Sequence, residues 1–554
     1  LNEKDNIGIA PMDIPADVDL NFGIKTINNI PYGHKISLTN IKKGDFIFKY
    51  GQKIGISLNN IEKGEHVHTH NLAFTEFERR YSGQVNKINK DEQKEGLFFK
   101  GYKRNNGSSG TRNYIGLIST VNCSATVVKK ISDKINLFLK QEDFKNIDGA
   151  VCLKHSSGCG MNTTSYGMNV FNRTIEGFKI HPNFAKVFVI GLGCECAQIS
   201  LYNKDQLSTN VEYLNIQDEG GTNQIIEKVS TRIINSLSEI NKIKRTDIPI
   251  SELILALQCG GSDSYSGITA NPALGVASDM LIDYGGSSIL SETSEIYGAE
   301  HLLYERSINK TIIDKIEKQI DWWKDHLKKN NSSLDNNPSP GNKKGGLTTI
   351  LEKSLGAVAK SGSRNMVDVL DYAEKLKIRG FNFMNSPGYD PVSVTGQVAS
   401  GANVICFTTG RGSCFGFKPT PSIKISSNTN MYNKLSEDMD INAGTIMDNQ
   451  KTLEDVGKSK VISARKSLLR NHNLVTKIET YNVDALKEWQ LVIRLIKQSH
   501  IVFNTIDYGD HFDYAISCAC YQLQKPMILG GTEPFYGHLV STFFQTSEKN
   551  DPCY

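Results

Sequence analysis

Five times between residues 112 and 305 a short apolar run ends in a polar or glycine-rich turn. The runs are Tyr114-Ile-Gly-Leu-Ile118, Gly149-Ala-Val-Cys-Leu153, Val187-Phe-Val-Ile190, Leu253-Ile-Leu-Ala-Leu257 and Ser288-Ile-Leu290. Helical spacing over Ala125–Leu139 and Gln224–Leu237 separates some of them. Continuous apolar strands alternating with amphipathic helices predict a largely parallel sheet buried on both faces. The carboxyl ends of such strands are where α/β proteins place ligands. The turns there hold Cys123, His155, Cys159, Cys194, Glu195, Cys259, Asp263 and Glu292, so chemistry is expected at them.

The flanks read differently. Residues 1–77 carry short β-like runs, with Lys43-Gly44 and Lys63-Gly64 about twenty residues apart, each after an Asn-Ile pair. This predicts a small all-β unit with an internal echo. Residues 78–98 are dense in Lys, Glu, Asp and Gln and read as a solvated linker. By composition alone 328–346 reads as a second linker. A further α/β stretch follows to about 452, with Val404-Ile-Cys-Phe407 and Ser422-Ile-Lys-Ile425 as strands. The texture changes again over 453–554, where Val461–Leu469 has helical spacing and Ile501-Val-Phe503 and Met527-Ile-Leu529 read as strands.

Composition excludes some functions. Sixty-three Lys and Arg against 59 Asp and Glu give +4 over 554 residues, too even for a nucleic-acid surface. No run of 18 apolar residues predicts a membrane span. Eleven Cys with no apolar signal core at Leu1-Asn2-Glu3-Lys4 read as reduced cytoplasmic thiols or metal ligands. The missing initiator Met suggests a fragment. No Gly-x-Gly-x-x-Gly, P-loop or Gly-x-Ser-x-Gly motif stands at the required place.

Individual side chains leave alternatives open. His66, His68 and His70 would share one face of a strand, as metal or substrate ligands or as a solvated edge. Cys194 and Cys196 are spaced C-x-C, with no matching pair for a zinc knuckle. Cys159, Cys194 and Cys259, with His66 and His68, are the candidate metal ligands, since thiolate and imidazole suit iron or zinc. Arg411, between glycines, suits a carboxylate clamp or a plain surface turn.

The motifs Val121-Asn-Cys-Ser-Ala-Thr126, His155-Ser-Ser-Gly-Cys-Gly-Met161, Gln258-Cys-Gly-Gly-Ser-Asp263, Ser291-Glu-Thr-Ser-Glu-Ile-Tyr297, Asn337-Pro-Ser-Pro-Gly-Asn-Lys343 and Ser386-Pro-Gly-Tyr-Asp390 resemble the altronate/galactarate dehydratase family over about 1–450. The resemblance implies an N-terminal SAF (β-clip) domain over 1–77, dehydratase α/β domains over 99–327 and 328–452, and a family motif rather than a linker at 328–346. It also implies loss of water from a sugar acid with a divalent metal, ferrous iron first and manganese as the alternative. The weakly acidic C2 proton then needs a cation at the carboxylate, a base, and an acid for the departing 3-hydroxyl. His155, Lys154, Glu292 and the histidine face are candidates for these roles, unassigned among themselves. Arg411, Lys418, Asn271 and Asp263 are candidates for holding the polyol and carboxylate. A homo-oligomer is compatible with the resemblance.

Residues 453–554 are instead similar to the second half of a ThiF-type adenylyltransferase, with Asp507 at the metal-binding position and Cys553 opening an incomplete Cys-x-x-Cys. The Gly-rich nucleotide loop that should precede them is missing. A carrier-protein-activating module and an inactive fusion scaffold are therefore the rival readings.

Overall fold

The computed structural model describes residues 2–20, 23–76, 94, 96–203, 210–447 and, beyond them, 479, 481, 483–485, 487–500, 502–504, 510–533 and 536–542. The chain forms two compact units, Leu1–Gly457 and Lys458–Tyr554.

The first unit begins with small antiparallel sheets, among them Ile7–Ile9 with Lys35–Ser37 and His66–Val67, and Phe46–Lys49 with Gln52–Ser57 and Leu72–Ala73. The echo in the sequence is a structural reciprocity. Lys43 N–H donates to Asn60 Oδ1 at 2.9 Å, and Lys63 N–H donates to Asn40 Oδ1 at 2.8 Å. Ile41 and Ile61 bridge antiparallel between them. Most of the expected 78–98 linker lies outside the described residues. Phe98 already belongs to a strand, Phe98–Lys103, paired with Thr246–Pro249.

Two parallel sheets follow. In the first, β1 (Tyr114–Ser119), β2 (Gly149–Leu153), β3 (Phe184–Gly191) and β4 (Val211–Asn215) lie in the order β2-β1-β3-β4. In the second, β5 (Ile254–Cys259), β6 (Ser287–Leu290), β7 (Met366–Leu370), β8 (Phe381–Met384), β9 (Val404–Thr409), β10 (Ser422–Ser426) and β11 (Ile441–Asn442) lie in the order β7-β8-β6-β5-β9-β10-β11. Every pairing in both is parallel, as the uninterrupted apolar runs require.

The helices make layers. α1 (Ala125–Gln141) and α3 (Thr222–Asn241) cover the outer face of the four-stranded sheet through Val128, Ile131, Val229 and Ile233. α2 (Tyr166–Lys179) and α7 (Asp390–Ala399) fill the space between the sheets, where Ile118, Val151 and Ile175 share a core with Ala256, Ile289 and Val394. α4 (Ala270–Asp283), α5 (Lys310–Lys329) and α6 (Ile350–Ala359) cover the far face of the larger sheet, and the N-terminal β-unit joins that core through Ile47, Ile54 and Val67.

The expected boundary at 327/328 is corrected. β5 and β6 belong to the same sheet as β7–β11, so the two α/β regions divide between α3 and β5. A run of strands and helices shows that the strands are parallel but not which sheet each joins. Residues 328–346 are folded, with helix Pro340–Lys344 opened by a capping box on Ser339.

The second unit packs Ile496 of helix Trp489–Gln498 and Ile516 and Cys520 of helix Asp510–Gln522 around Met527. Val502–Asn504 pairs parallel with Met527–Glu533, which pairs antiparallel with Tyr536–Thr542. The expected helix Val461–Leu469, Asp507 and Cys553 lie outside the described residues.

Candidate active site

The carboxyl edge of the seven-stranded sheet gathers buried charge. β5 ends on Cys259, β6 runs into Glu292 and Glu295, and α6 presents Lys353 and, just past its end, Lys360. All five are buried. Lys360 Nζ lies 2.9 Å from Cys259 Sγ and 3.9 Å from a Glu292 oxygen. Lys353 Nζ lies 2.6 Å from Glu295 Oε1 and 2.9 Å from Asn337 Oδ1, and Asn337 Nδ2 donates to the same Glu295 oxygen at 2.7 Å.

This local structure is under tension. Glu292 has φ +74, a left-handed conformation uncommon outside glycine, and its backbone N–H is held by Ser386 Oγ at 3.0 Å. Both its carboxylate oxygens and Glu295 Oε2 are buried without a hydrogen-bond partner. Burial first, then the neighbouring Glu295, pushes the Glu292 carboxyl well above the usual range. Burial acts the same way on Glu295, but Lys353 and Lys360 outweigh it and hold that carboxyl low. Asp390, raised by burial, accepts from Gln258 Nε2 at 3.1 Å beside them.

Cys259, Glu292 and Glu295 each bring a ligand atom within 4.8 Å of the others, the geometry of a place for a metal ion. Among the described residues no other trio of His, Cys, Asp or Glu does so. A thiolate with carboxylates suits a borderline-soft dication, and the orphaned oxygens are the acceptors such an ion would satisfy.

A second group stands on the β-unit. The strand carrying His66 lasts only two residues, so turn geometry rather than strand alternation gathers the rings. His34 Nδ1 is 3.0 Å from His66 Nε2, and His34 Nε2 is 3.2 Å from the Lys344 carbonyl oxygen. That carbonyl can only accept, so His34 carries its proton on Nε2 and His66 donates from Nε2. The His68 ring lies 4.5 Å from that of His34, and His70 lies 5.2 Å from His66. Burial, with the nearby cations, pulls His66 down to about 4 and His68 to about 3, so both are neutral at neutral pH.

The two groups are tied through residues 337–353. Lys35 and Lys49 of the β-unit both pair with Glu352 at 2.8 Å, fully buried, and Glu352 neighbours Lys353 on α6. Gly346 has φ +95, and a Cβ there would lie 2.2 Å from the Gly33 carbonyl oxygen, so only glycine admits this approach. A Cβ on Gly345 would lie 3.2 Å from Arg411 Cδ and 3.0 Å from Asp263 Cβ. Arg411, exposed, therefore lies at the seam.

The other candidates fall as follows. Asp263 is buried and accepts from Ser266, Ser427 and Asn428. Asn271 is buried, donating to the Gly356 carbonyl at 2.8 Å and accepting from Thr408 at 2.6 Å. Lys418 and Lys154 are exposed. His155, Cys159 and Cys194 stand on the other sheet. There His155 Nε2 is 2.8 Å from the Ser119 carbonyl and His155 Nδ1 accepts from Ser157 N–H at 3.1 Å.

Glu295, Lys353, Lys360, Asp390 and His34 were not singled out by sequence reasoning. The available signal was Glu352-Lys353 inside the otherwise apolar helix Ile350–Ala359, where two charges must be buried and paired.

Ser386, which holds the Glu292 backbone, also lines a cleft of about 910 Å³ walled by Tyr166, Trp322, Trp323 and Tyr372.

A buried cluster that could hold a metal ion, with two buried lysines beside it, stands at the strand ends of a parallel sheet, where α/β enzymes place their ligands. Family models then place the chain. The altronate/galactarate dehydratase SAF domain matches residues 1–75, the D-galactarate dehydratase/altronate hydrolase second domain 101–241, and the D-galactarate/altronate dehydratase C-terminal domain 250–489. The altronate dehydratase of Bacillus subtilis (strain 168) is 35% identical over 459 residues, covering 80% of this chain and 90% of that protein. The L-threo-forming galactarate dehydratase of Escherichia coli (strain K12) is 36% identical over 470 residues, 82% and 90%. The altronate dehydratase of the same strain is 33% identical over 454 residues, 81% and 90%. The chain belongs to the D-galactarate/altronate dehydratase family and is a hydro-lyase. A ThiF family model matches residues 450–554. No described helix is long and apolar enough to cross a membrane.

Proposed function

We propose that the chain removes water from a sugar acid, altronate giving 2-keto-3-deoxygluconate or galactarate giving its 2-keto-3-deoxy acid. Cys259, Glu292 and Glu295 would hold a divalent cation, ferrous iron first and manganese second. The carrying observation is the set of orphaned buried carboxylate oxygens beside a thiol. When bound, the cation supplies Lewis acidity at the substrate carboxylate and 2-hydroxyl, which makes the C2 proton removable.

Charge supports this reading. With a dication bound, three anionic donors against it and the ammonium groups of Lys353 and Lys360 would leave one net positive charge, which attracts a sugar-acid carboxylate. Neutral His66, donating from Nε2 to His34, offers Nδ1 as the base for the C2 proton. An anionic substrate beside it raises its low pKa toward neutrality. Asp390, whose carboxyl burial raises above its usual range, would assist the departing 3-hydroxyl. Arg411 at the seam holds the far end of the polyol. Entry is by the aromatic cleft, whose ring faces suit the C–H face of a sugar chain. We place the reaction in the cytoplasm, where thiols stay reduced.

The test is an anaerobic incubation with altronate and with galactarate, with and without ferrous iron, measuring 2-keto-3-deoxy acid. Iron-dependent product from one of them is expected. No product from either substrate under any metal condition sinks the reading.

A further inference from the structure

Three of the exposed free cysteines, Cys123, Cys159 and Cys194, stand on one edge of the four-stranded sheet. An unused cysteine is ordinarily among the most buried residue types, and an exposed thiol is an oxidation liability. Nothing in the proposed dehydration uses these three.

They are brought together by construction. Each follows the carboxyl end of one of three adjacent strands, β2, β1 and β3, with Cys123 on the central one. The three turns are stitched to one another. Asn122 N–H donates to the Ser157 carbonyl at 2.9 Å, and Cys196 N–H donates to the Cys159 carbonyl at 3.1 Å. Gly158, at φ +98, sits so close that a Cβ would lie 2.1 Å from the Thr120 carbonyl oxygen. Glu195, buried between Cys194 and Cys196, accepts from Thr120 Oγ1 at 2.7 Å and from Gly193 N–H at 2.7 Å. Its carboxylate locks the third turn to the first, and His155 does the same for the second through Ser119. The polar groups of this edge are thus spent on fixing the turns, while the thiols are left facing out.

These thiols are not among the groups whose ligand atoms all lie within 4.8 Å, so a single tetrahedral ion does not span them as they stand. An iron–sulfur cluster is wider than one ion and takes thiolate ligands from separate turns. We propose that Cys123, Cys159 and Cys194 ligate a four-iron, four-sulfide cluster, with its fourth iron left to an oxygen ligand from solvent or a small acid. This site is distinct from Cys259, Glu292 and Glu295 and does not rest on them.

The experiment uses the full chain, reconstituted anaerobically with ferric iron, sulfide and a thiol reductant that supplies the two electrons per cluster, and then desalted. Expected are a broad visible absorption lost on exposure to air, about four iron and four acid-labile sulfide per chain, and protection of these three cysteines from alkylation. A Cys123→Ser/Cys159→Ser/Cys194→Ser variant loses all three signals at an unchanged melting temperature, because the side chains are exposed. Cys414→Ser, exposed on the loop after β9, keeps them. Iron without labile sulfide, a single bound zinc, or an unchanged spectrum in the triple variant overturns the proposal. Loss of the signals in Cys414→Ser but not in the triple variant does so too.

Discussion

The two parallel sheets solve the same problem at their carboxyl edges in opposite ways. On the four-stranded sheet Glu195 is buried, yet hydrogen bonds from Thr120 and backbone N–H groups outweigh its burial and hold its pKa low. Both ring nitrogens of His155 meet backbone partners. On the seven-stranded sheet Glu292 is just as buried, strained at φ +74, and meets no hydrogen-bond donor at either oxygen. A buried carboxylate whose donors are all in place is part of the scaffold. One left without them fits the cation proposed above, and the strain is tolerated because Ser386 holds the backbone.

Substitutions sharpen this contrast. The largest effect is expected for Glu292→Gln, which keeps shape but loses a ligand. Turnover should fall by about 10²–10⁴-fold, the usual scale for a lost acid, base or metal role, with no loss of melting temperature, since burial already disfavours the charged carboxylate that Gln replaces. Wild-type turnover would make this edge scaffold like the other.

Glu352→Gln comes next and acts on stability. It strips the counter-charge from Lys35 and Lys49, and breaking such a buried network costs about 3–5 kcal/mol, read as a lower denaturant midpoint. Its place beside Lys353 means that turnover should fall as well.

On the other sheet, His155→Ala removes two hydrogen bonds and the packing against Phe171. It should destabilise by about 1–3 kcal/mol. If it instead lowers turnover 100-fold with an unchanged melting point, His155 belongs to the chemistry and the contrast fails.

The smallest effect is pH dependence. The folded-state pKa values of His66 and His68 lie below the unfolded value of 6.5, at about 4 and about 3. Their contribution to stability is present above pH 6.5 and is lost as pH falls through those values. Glu352, held near 2 because Lys35 and Lys49 outweigh its burial, begins to lose its own contribution only below about pH 4.5. Glu292 works in the opposite direction, since its raised pKa favours the fold as pH falls. The histidine part is therefore read as the difference in urea midpoint between the native chain and His66→Gln/His68→Gln from pH 7 to 5. A difference that does not change over that range contradicts the buried, neutral assignment.

Much of this was legible beforehand. Apolar runs such as Tyr114–Ile118 admit little but buried parallel strands, and their turns pointed to Cys259 and Glu292. The asparagine-lysine-glycine echo in the β-unit foretold a real reciprocity. What stayed hidden depends on distance in space. Composition makes 328–346 look like a linker, because Asn337, Ser339 and Asn342 are polar for a different reason: they bond buried partners 42, 3 and 80 residues away. Lys353 and Lys360 look like ordinary helix lysines until Glu295 and Cys259 are brought against them. No local pattern shows that β5 joins β9 rather than the strands that precede it.

If Cys259, Glu292 and Glu295 hold the cation that the reaction needs, changing any of them must raise the iron requirement. The direct measurement is the ferrous iron concentration giving half-maximal dehydration, for the native chain and for Cys259→Ser and Glu295→Gln, each under anaerobic conditions. Both variants are expected to stay folded and to need at least ten-fold more iron, with lower turnover at saturation. Half-maximal iron concentrations equal to that of the native chain in both would show that the cation binds elsewhere, and would contradict this assignment.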